Sequence, residues 1–316
     1  MQRRRVGHSG LRVSRLALGT MTWGTQVDRY TAGELLDAFL DAGGTLIDTA
    51  PVHGDGHAEQ LLGAVLAERG VRDRVQIAGK CGLGPGVDGA VADTSRGAVL
   101  DQLDRTLREL QTDHLDLWQV HRWDDSVPLD ETLAALEHAV DSGRVRYVGL
   151  SNFAPWQTAL AHERLAGRPA GLRLVSTQVE YSLLQRVPES GLVDALQHLG
   201  MGLLAWSPIG RGVLTGKYRT GTPADSRGAD DGFSRWLAEY LGPGPSATVE
   251  AVARAADGLG LSPAQVALAW VRDRPAVASA VVGARTPAQL SELLGTEELA
   301  LPPEITLALD DVSSPR

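Results

Sequence analysis

Lysine is nearly missing from this 316-residue chain: of 30 lysines and arginines, only Lys80 and Lys217 are lysine. Lys80 ends the apolar run Val75-Gln-Ile-Ala-Gly-Lys80. An ammonium placed there can shift its pKa or couple to a carboxylate, which a guanidinium does not do. Cysteine is reduced to Cys81, which excludes an internal disulfide and fits a reducing compartment. No apolar run reaches the length of a membrane span, and the basic Met1-Gln-Arg-Arg-Arg5 start lacks the apolar segment of a secretory signal. Positive charge is short as well. A formal charge of -9 offers no field for nucleic acid or an anionic membrane surface. These absences point to a cytoplasmic protein with a small-molecule partner, and they leave its oligomeric state open between a monomer and a weak oligomer.

What is present is alternation. Short apolar, β-branched runs occur at 15–20, 45–48, 75–80, 115–121, 145–151, 174–180, 202–207 and 278–283. Stretches with helical periodicity lie between them, such as 32–42, 58–69, 96–110, 129–142 and 187–199. Eight strand-helix units with continuously apolar strands predict a parallel sheet covered on both faces and closed into a (β/α)8 TIM barrel, one domain over residues 1–316. A dinucleotide-type glycine fingerprint is absent after the first strand, where Gly19-Thr20-Met21-Thr-Trp23-Gly24 stands, so an open Rossmann sheet is not expected. Residues 2–14 read as a hairpin turning at His8-Ser9-Gly10 and closing the bottom of the barrel. From about 210 to 245 a long loop rich in Gly, Pro, Asp and Thr follows the seventh strand, with Phe233, Trp236, Leu237 and Tyr240 embedded in it. A loop of that length is more often functional than accidental.

In such barrels chemistry sits at the C-terminal ends of the strands. Those ends carry Asp48, Lys80, His121, Ser151, Asn152 and Trp206. Asp48 alone could be a turn or capping carboxylate and His121 alone a core histidine; together with Lys80 they point to a site. Asp55 and His57 are too weak a pattern for a metal, and none is expected. Near the end of the chain, Gly283-Ala-Arg285-Thr286-Pro287 leaves a strand and opens a helix. Free backbone N–H groups there suit an anion, and Arg285 can fork onto a phosphate, which favours NADP(H) over NAD(H).

The segment Asp48-Thr49-Ala50-Pro-Val-His53-Gly54 resembles the aldo-keto reductase signature, in which Asp-Thr-Ala is followed by a tyrosine and a glycine. Lys80, His121, Ser151-Asn152, Gln178, Trp206-Ser-Pro-Ile-Gly210 and Gly283-Ala-Arg-Thr-Pro287 follow with the family's spacing, so the resemblance spans nearly the whole chain. It looks closest to the bacterial branch that also resembles potassium-channel β subunits, with Trp206 as nicotinamide platform and Lys217 as cofactor clamp. The resemblance implies an NADP(H)-dependent oxidoreductase that interconverts a carbonyl and an alcohol. It implies catalytic roles for Asp48, Lys80 and His121, with His53 where the family has its proton-donating tyrosine. Cofactor contacts are implied for Gly19, Thr20, Met21, Asp48, Ser151, Asn152, Gln178, Trp206, Ser207, Pro208, Ile209, Gly210, Gly212, Lys217, Gly283, Arg285, Gln289 and Glu292. Leu293 stands where relatives often carry an asparagine.

His53 changes the chemistry to be expected. Imidazole titrates near 6.5 and phenol near 10, and the Lys80 cation beside it would keep the ring neutral. Three readings stand: an altered but working acid, a site retuned for a lyase or isomerase step or for redox-silent cofactor sensing, and a substitution made by design. Trp23, Trp123, Phe153, Phe233 and Trp236 are expected to line an apolar substrate pocket suited to ring-shaped carbonyls or alcohols.

Overall fold

Every strand of the central sheet is short, and several are buried along their whole length: all seven residues of Leu174–Glu180 and all six of Val277–Val282 are buried. Strands of that kind need cover on both faces, and the chain supplies it by parallel closure. The computed structural model describes residues 1–86, 89–229 and 231–314, with side chains for all of these except 85, 86, 89, 231–233 and 243. It opens with an antiparallel hairpin, β1 (Arg3–Arg5) and β2 (Arg12–Ser14), followed by β3 (Leu16–Gly19), β4 (Leu46–Asp48) and β5 (Gln76–Cys81). A second antiparallel pair, β6 (Leu83–Gly86) and β7 (Gly89–Ala92), intervenes. Then come β8 (Leu115–Val120), β9 (Val145–Ser151), β10 (Leu174–Glu180), β11 (Gly202–Trp206) and β12 (Val277–Val282). The strands β3, β4, β5, β8, β9, β10, β11 and β12 close into a parallel barrel, with β12 paired to β3.

Helices α1 (Arg29–Asp41), α2 (Ala58–Arg69), α3 (Arg96–Glu109), α4 (Leu129–Asp141), α5 (Pro155–Ala166) and α6 (Leu192–Leu199) connect the first seven barrel strands. After β11 come α7 (Asp231–Leu237), α8 (Pro243–Leu259) and α9 (Pro263–Arg272), and after β12 come α10 (Pro287–Leu294) and α11 (Pro303–Val312). Their starts are chemically marked. Asp28 accepts from Thr31 N, Thr286 accepts from Gln289 N, and Ser262 with Gln265 forms a reciprocal capping box.

The N-terminal hairpin plugs the barrel floor as expected. Val6, Leu11 and Val13 pack with Ala17, Leu46, Leu117 and Leu204 from the strands. Gly7 permits the close approach: its φ is +55°, and a Cβ there would lie 2.2 Å from Gly200 O. Two expectations change in detail. The 187–199 helix is divided at Gly191, whose φ of 103° is incompatible with a continuous helix, into a 3-10 turn and α6. The loop after β11 is largely helical, because Leu237 and Tyr240 bury against the core and draw α7 and the turn after it inward. The β6–β7 hairpin was not anticipated, since the Gly- and Pro-rich sequence there reads as a loop.

Candidate active site

The barrel interior changes character along its axis. Strand alternation directs Leu46, Ala78 and Leu117 into the floor, and the same alternation brings Asp48, Lys80 and Gln119 into the interior two residues later. Lys80 Nζ donates to Asp48 Oδ1 at 2.6 Å and to Thr49 O at 3.2 Å, with both charged side chains almost fully buried. Gln178 Nε2 donates to the same Asp48 oxygen at 2.7 Å. An ammonium carries three protons, so one remains for a ligand.

His53 stands on the turn after β4. Its N–H donates to Ala50 O, and the next residue, Gly54, takes φ +54° with Trp23 O only 1.8 Å from where a Cβ would be. Only glycine fits there, and this fixes where the His53 side chain departs. The His53 and His121 rings meet edge to face, with centroids 6.5 Å apart. Each Nδ1 is buried without a hydrogen-bond partner. Burial, reinforced by the Lys80 cation, holds the His53 pKa well below the usual histidine value. Burial likewise lowers His121 to about 3, with Lys80, His53 and Arg122 adding to the effect and Asp48 opposing it. Both rings are therefore neutral at pH 7.

Around this centre the loops are tied together. Asn152, in a left-handed conformation with φ 57°, donates from Nδ2 to His121 O and Ser151 Oγ and accepts at Oδ1 from Trp206 Nε1 at 3.1 Å. Trp206 in turn stacks with Trp236 from α7 at 6.2 Å and 18°. A cavity of about 710 Å³ begins at Asp48, His53, Lys80 and His121 and extends past Trp206 to Arg285 and Gln289 at the start of α10. Its volume lies in the range of small-molecule and cofactor sites.

Most residues singled out in the sequence line this one cavity: Gly19, Met21, Ser151, Asn152 and Gln178 near the centre, Ser207, Pro208, Ile209, Gly212 and Lys217 after β11, and Gly283, Arg285, Gln289 and Glu292 at the far end. Others sit elsewhere. Thr20 is fully buried behind the wall, bonded to Asp48 O and Thr49 Oγ1, and Gly210 packs against Leu184 and Leu214. Trp23 is a core residue, fully inaccessible and off the cavity wall, because the Gly54 turn closes over it. Trp123 and Phe153 meet edge to face at 5.4 Å off the cavity wall, Phe153 within the core and Trp123 packed against it, while Trp236 does line the cavity. The Phe233 side chain lies outside the described residues.

Sequence reasoning missed three wall elements. Arg227 faces the cavity with Arg285, and its pKa is lowered by burial and then by that like charge. Arg211 sits buried in the wall, forked onto Glu180. Ser262 and Pro263, at the start of α9, complete the far side. The Ser-Pro-x-Gln pattern at 262–265 marks a helix start and was legible, whereas Arg227, in a polar loop, carried no signal beyond its charge. Among the described residues no cluster of three or more His, Cys, Asp or Glu side chains could hold a metal ion, and no helix is long and apolar enough to cross a membrane.

Comparison with known proteins agrees with this fold. The chain is 36% identical over 325 residues to the uncharacterised oxidoreductase YrpG of Bacillus subtilis (strain 168), covering 97% of this chain and 94% of that protein. It is 36% identical to the L-glyceraldehyde 3-phosphate reductase of Escherichia coli (strain K12), covering 92% of this chain and 86% of that one. A probable voltage-gated potassium channel subunit beta of Oryza sativa subsp. japonica is 35% identical, covering 92% and 90%. The model of the aldo/keto reductase family matches residues 15–313, and the chain belongs to that family.

Proposed function

We propose that the protein is an NADP(H)-dependent oxidoreductase that interconverts a carbonyl and an alcohol, with His53 in place of the usual phenol. The observation that carries this reading is the single cavity joining a buried Lys80–Asp48 pair and two neutral imidazoles to a guanidinium-lined far end. The far end fits a nucleotide phosphate. Arg285 and Arg227 repel each other there, and Thr286 caps a helix whose N-terminus favours an anion. Trp206 offers an indole face, and Asn152 and Gln178 offer amide groups for a carboxamide. A bound nicotinamide would supply or take the hydride at the carbonyl carbon.

The chain's own residues handle the oxygen. Lys80, held by Asp48 and Thr49, directs its remaining proton toward a carbonyl or alcohol oxygen in the cavity. Neutral His53 donates one hydrogen bond to a carbonyl oxygen, or accepts the proton of an alcohol when the reaction runs as an oxidation. The depressed pKa keeps the ring neutral at neutral pH, the form that both roles use. Mixing the protein with NADPH and a panel of carbonyls, and with NADP+ and the matching alcohols, tests the reading through the absorbance of the reduced nicotinamide. A second reading, a redox-silent nucleotide-binding regulator, is favoured by the similarity to the rice protein named as a potassium channel β subunit and by His53 itself. It predicts nucleotide binding with no turnover on any member of either panel.

A further inference from the structure

Arg211 holds a backbone conformation that only its side chain explains. Its φ is +55°, between Gly210 at +57° and Gly212 at +92°, in the left-handed region that favours glycine. The side chain is also almost fully buried, and an arginine leaves water only where partners replace it. Those partners come from β10 on one side and from α7 and the turn after it on the other. Nε donates to Glu180 Oε1 at 2.7 Å and Nη2 to Glu180 Oε2, while Nη1 donates to the Trp236 carbonyl and pairs with Glu239 at 2.6 Å. The guanidinium also lies over the ring of Trp236 at 4.3 Å and that of Tyr240 at 4.6 Å. Every nitrogen is engaged within the fold, so the fork is built to hold the cavity wall rather than to take a ligand.

What the fork holds follows from where its two ends lie. Glu180 is the residue paired with Trp206 across β10 and β11. Trp236, at the other end, stacks on Trp206 with centroids 6.2 Å apart and planes 18° from parallel. The edge of Trp206 is fixed separately, by donation from its Nε1 to Asn152 Oδ1. An edge bond alone leaves a ring free to tilt, and a stacked neighbour removes that freedom. Arg211 grips Trp236 by carbonyl and by ring, which a lysine, with its compact charge and no planar fork, cannot do.

We propose that Arg211 is a positioning residue for hydride transfer: acting through Trp236, it fixes the plane of Trp206 and with it the tilt of a nicotinamide lying on that indole. The proposal rests on the reading above that Trp206 is the nicotinamide platform. Trp236 covers one face of the indole and leaves the other for the cofactor. The nucleotide's far end is held elsewhere, at Arg285 and Gln289, so loss of the stack disturbs alignment and not affinity. Misalignment is costly, since a displacement of about 1 Å at the reacting atoms slows a reaction up to about 100-fold.

The test compares the full-length parent with Arg211→Met, Arg211→Lys and Trp236→Leu. Because Arg211→Met leaves the Glu180 carboxylate buried without its partner, Arg211→Met/Glu180→Met, which removes both charges, is made as well. The first readout needs no nucleotide: closely packed indoles give an exciton couplet in far-ultraviolet circular dichroism. Trp236→Leu should lose the Trp206–Trp236 share of it and keep that of the Trp123–Trp156 pair. Arg211→Met and the double variant should lose the same share, and Arg211→Lys part of it. The second readout is the single-turnover rate of NADPH oxidation by a carbonyl, expected to fall about tenfold or more in these variants while NADPH dissociation constants stay within about threefold. A fold that is merely loosened would lose binding sites rather than speed at each site. A couplet that survives the loss of Arg211 overturns the proposal, and so does a parental rate in a variant whose couplet is gone. Tighter NADPH binding by Trp236→Leu also overturns it, since Trp236 would then cover the face the nicotinamide needs. A parent that binds NADPH but oxidises none sinks the oxidoreductase reading alone, and the fluorescence of bound NADPH then decides: a shifted emission in the Arg211 variants supports the positioning role, and a parental one overturns it.

Discussion

Replacing His121 with glutamine should flatten the acid limb of the protein's stability curve. His121 titrates at about 3 in the folded protein, held down by burial and by Lys80, His53 and Arg122, whereas an unfolded histidine titrates near 6.5. Below 6.5 the unfolded chain takes up a proton that the folded one refuses, so the stability present at higher pH is lost as pH falls. One pH unit is worth about 1.4 kcal/mol, and from pH 8 to pH 4.5 the His121 contribution lost is roughly 2.5 kcal/mol. His53 is lowered in the same direction, and the variant retains its contribution. Urea unfolding at half-unit pH steps measures the difference directly, because carboxylates titrate alike in both proteins and cancel. His121→Gln should lose about 2.5 kcal/mol less than the parent over that range. Parallel curves for the two proteins would refute the claim that the folded site holds a neutral imidazole against a cation.

Three further substitutions probe the cavity from centre to far end. Lys80→Met should abolish turnover and leave NADPH affinity within a few fold, and because it leaves Asp48 buried with Gln178 alone it should cost about 3–5 kcal/mol by urea unfolding. Arg285→Ala should erase most of a tenfold to hundredfold preference for NADPH over NADH, roughly 1.5–3 kcal/mol, and equal dissociation constants in the parent would contradict the assignment. His53→Tyr should raise the rate on simple aldehydes, since Lys80, Asp48 and His121 already surround that position; an unchanged or lower rate would show that the loop cannot place a phenol.

The barrel was legible because short, largely apolar runs recur eight times along the chain, and the helices between carry their own period. The same regularity gave the centre of the site. Asp48, Lys80, His121 and Gln178 each sit at or near a strand end, where position along the chain fixes position in space. The aromatics were harder. Trp23, Trp123 and Phe153 lie within a few residues of cavity-lining groups, yet their rings pack into or against the core, which depends on packing across elements rather than on spacing. Arg211 was hidden for a related reason. Its partners, Glu180 and the Trp236 carbonyl, come from separate segments, and no local pattern links them. The helical turns after β11 were obscured by Gly, Pro and Asp, which read as loop until Leu237 and Tyr240 are seen to anchor them.

The central claim is that His53 handles the proton in a nicotinamide-dependent interconversion of carbonyl and alcohol. Single-turnover kinetics with saturating NADPH and a carbonyl from the panel test it most directly, comparing the parent with His53→Ala through the absorbance of the reduced nicotinamide. The account predicts consumption of NADPH by the parent and a chemical step slowed by about 100-fold or more in the variant. NADPH that binds but is never consumed, or an alanine variant as fast as the parent, would contradict it.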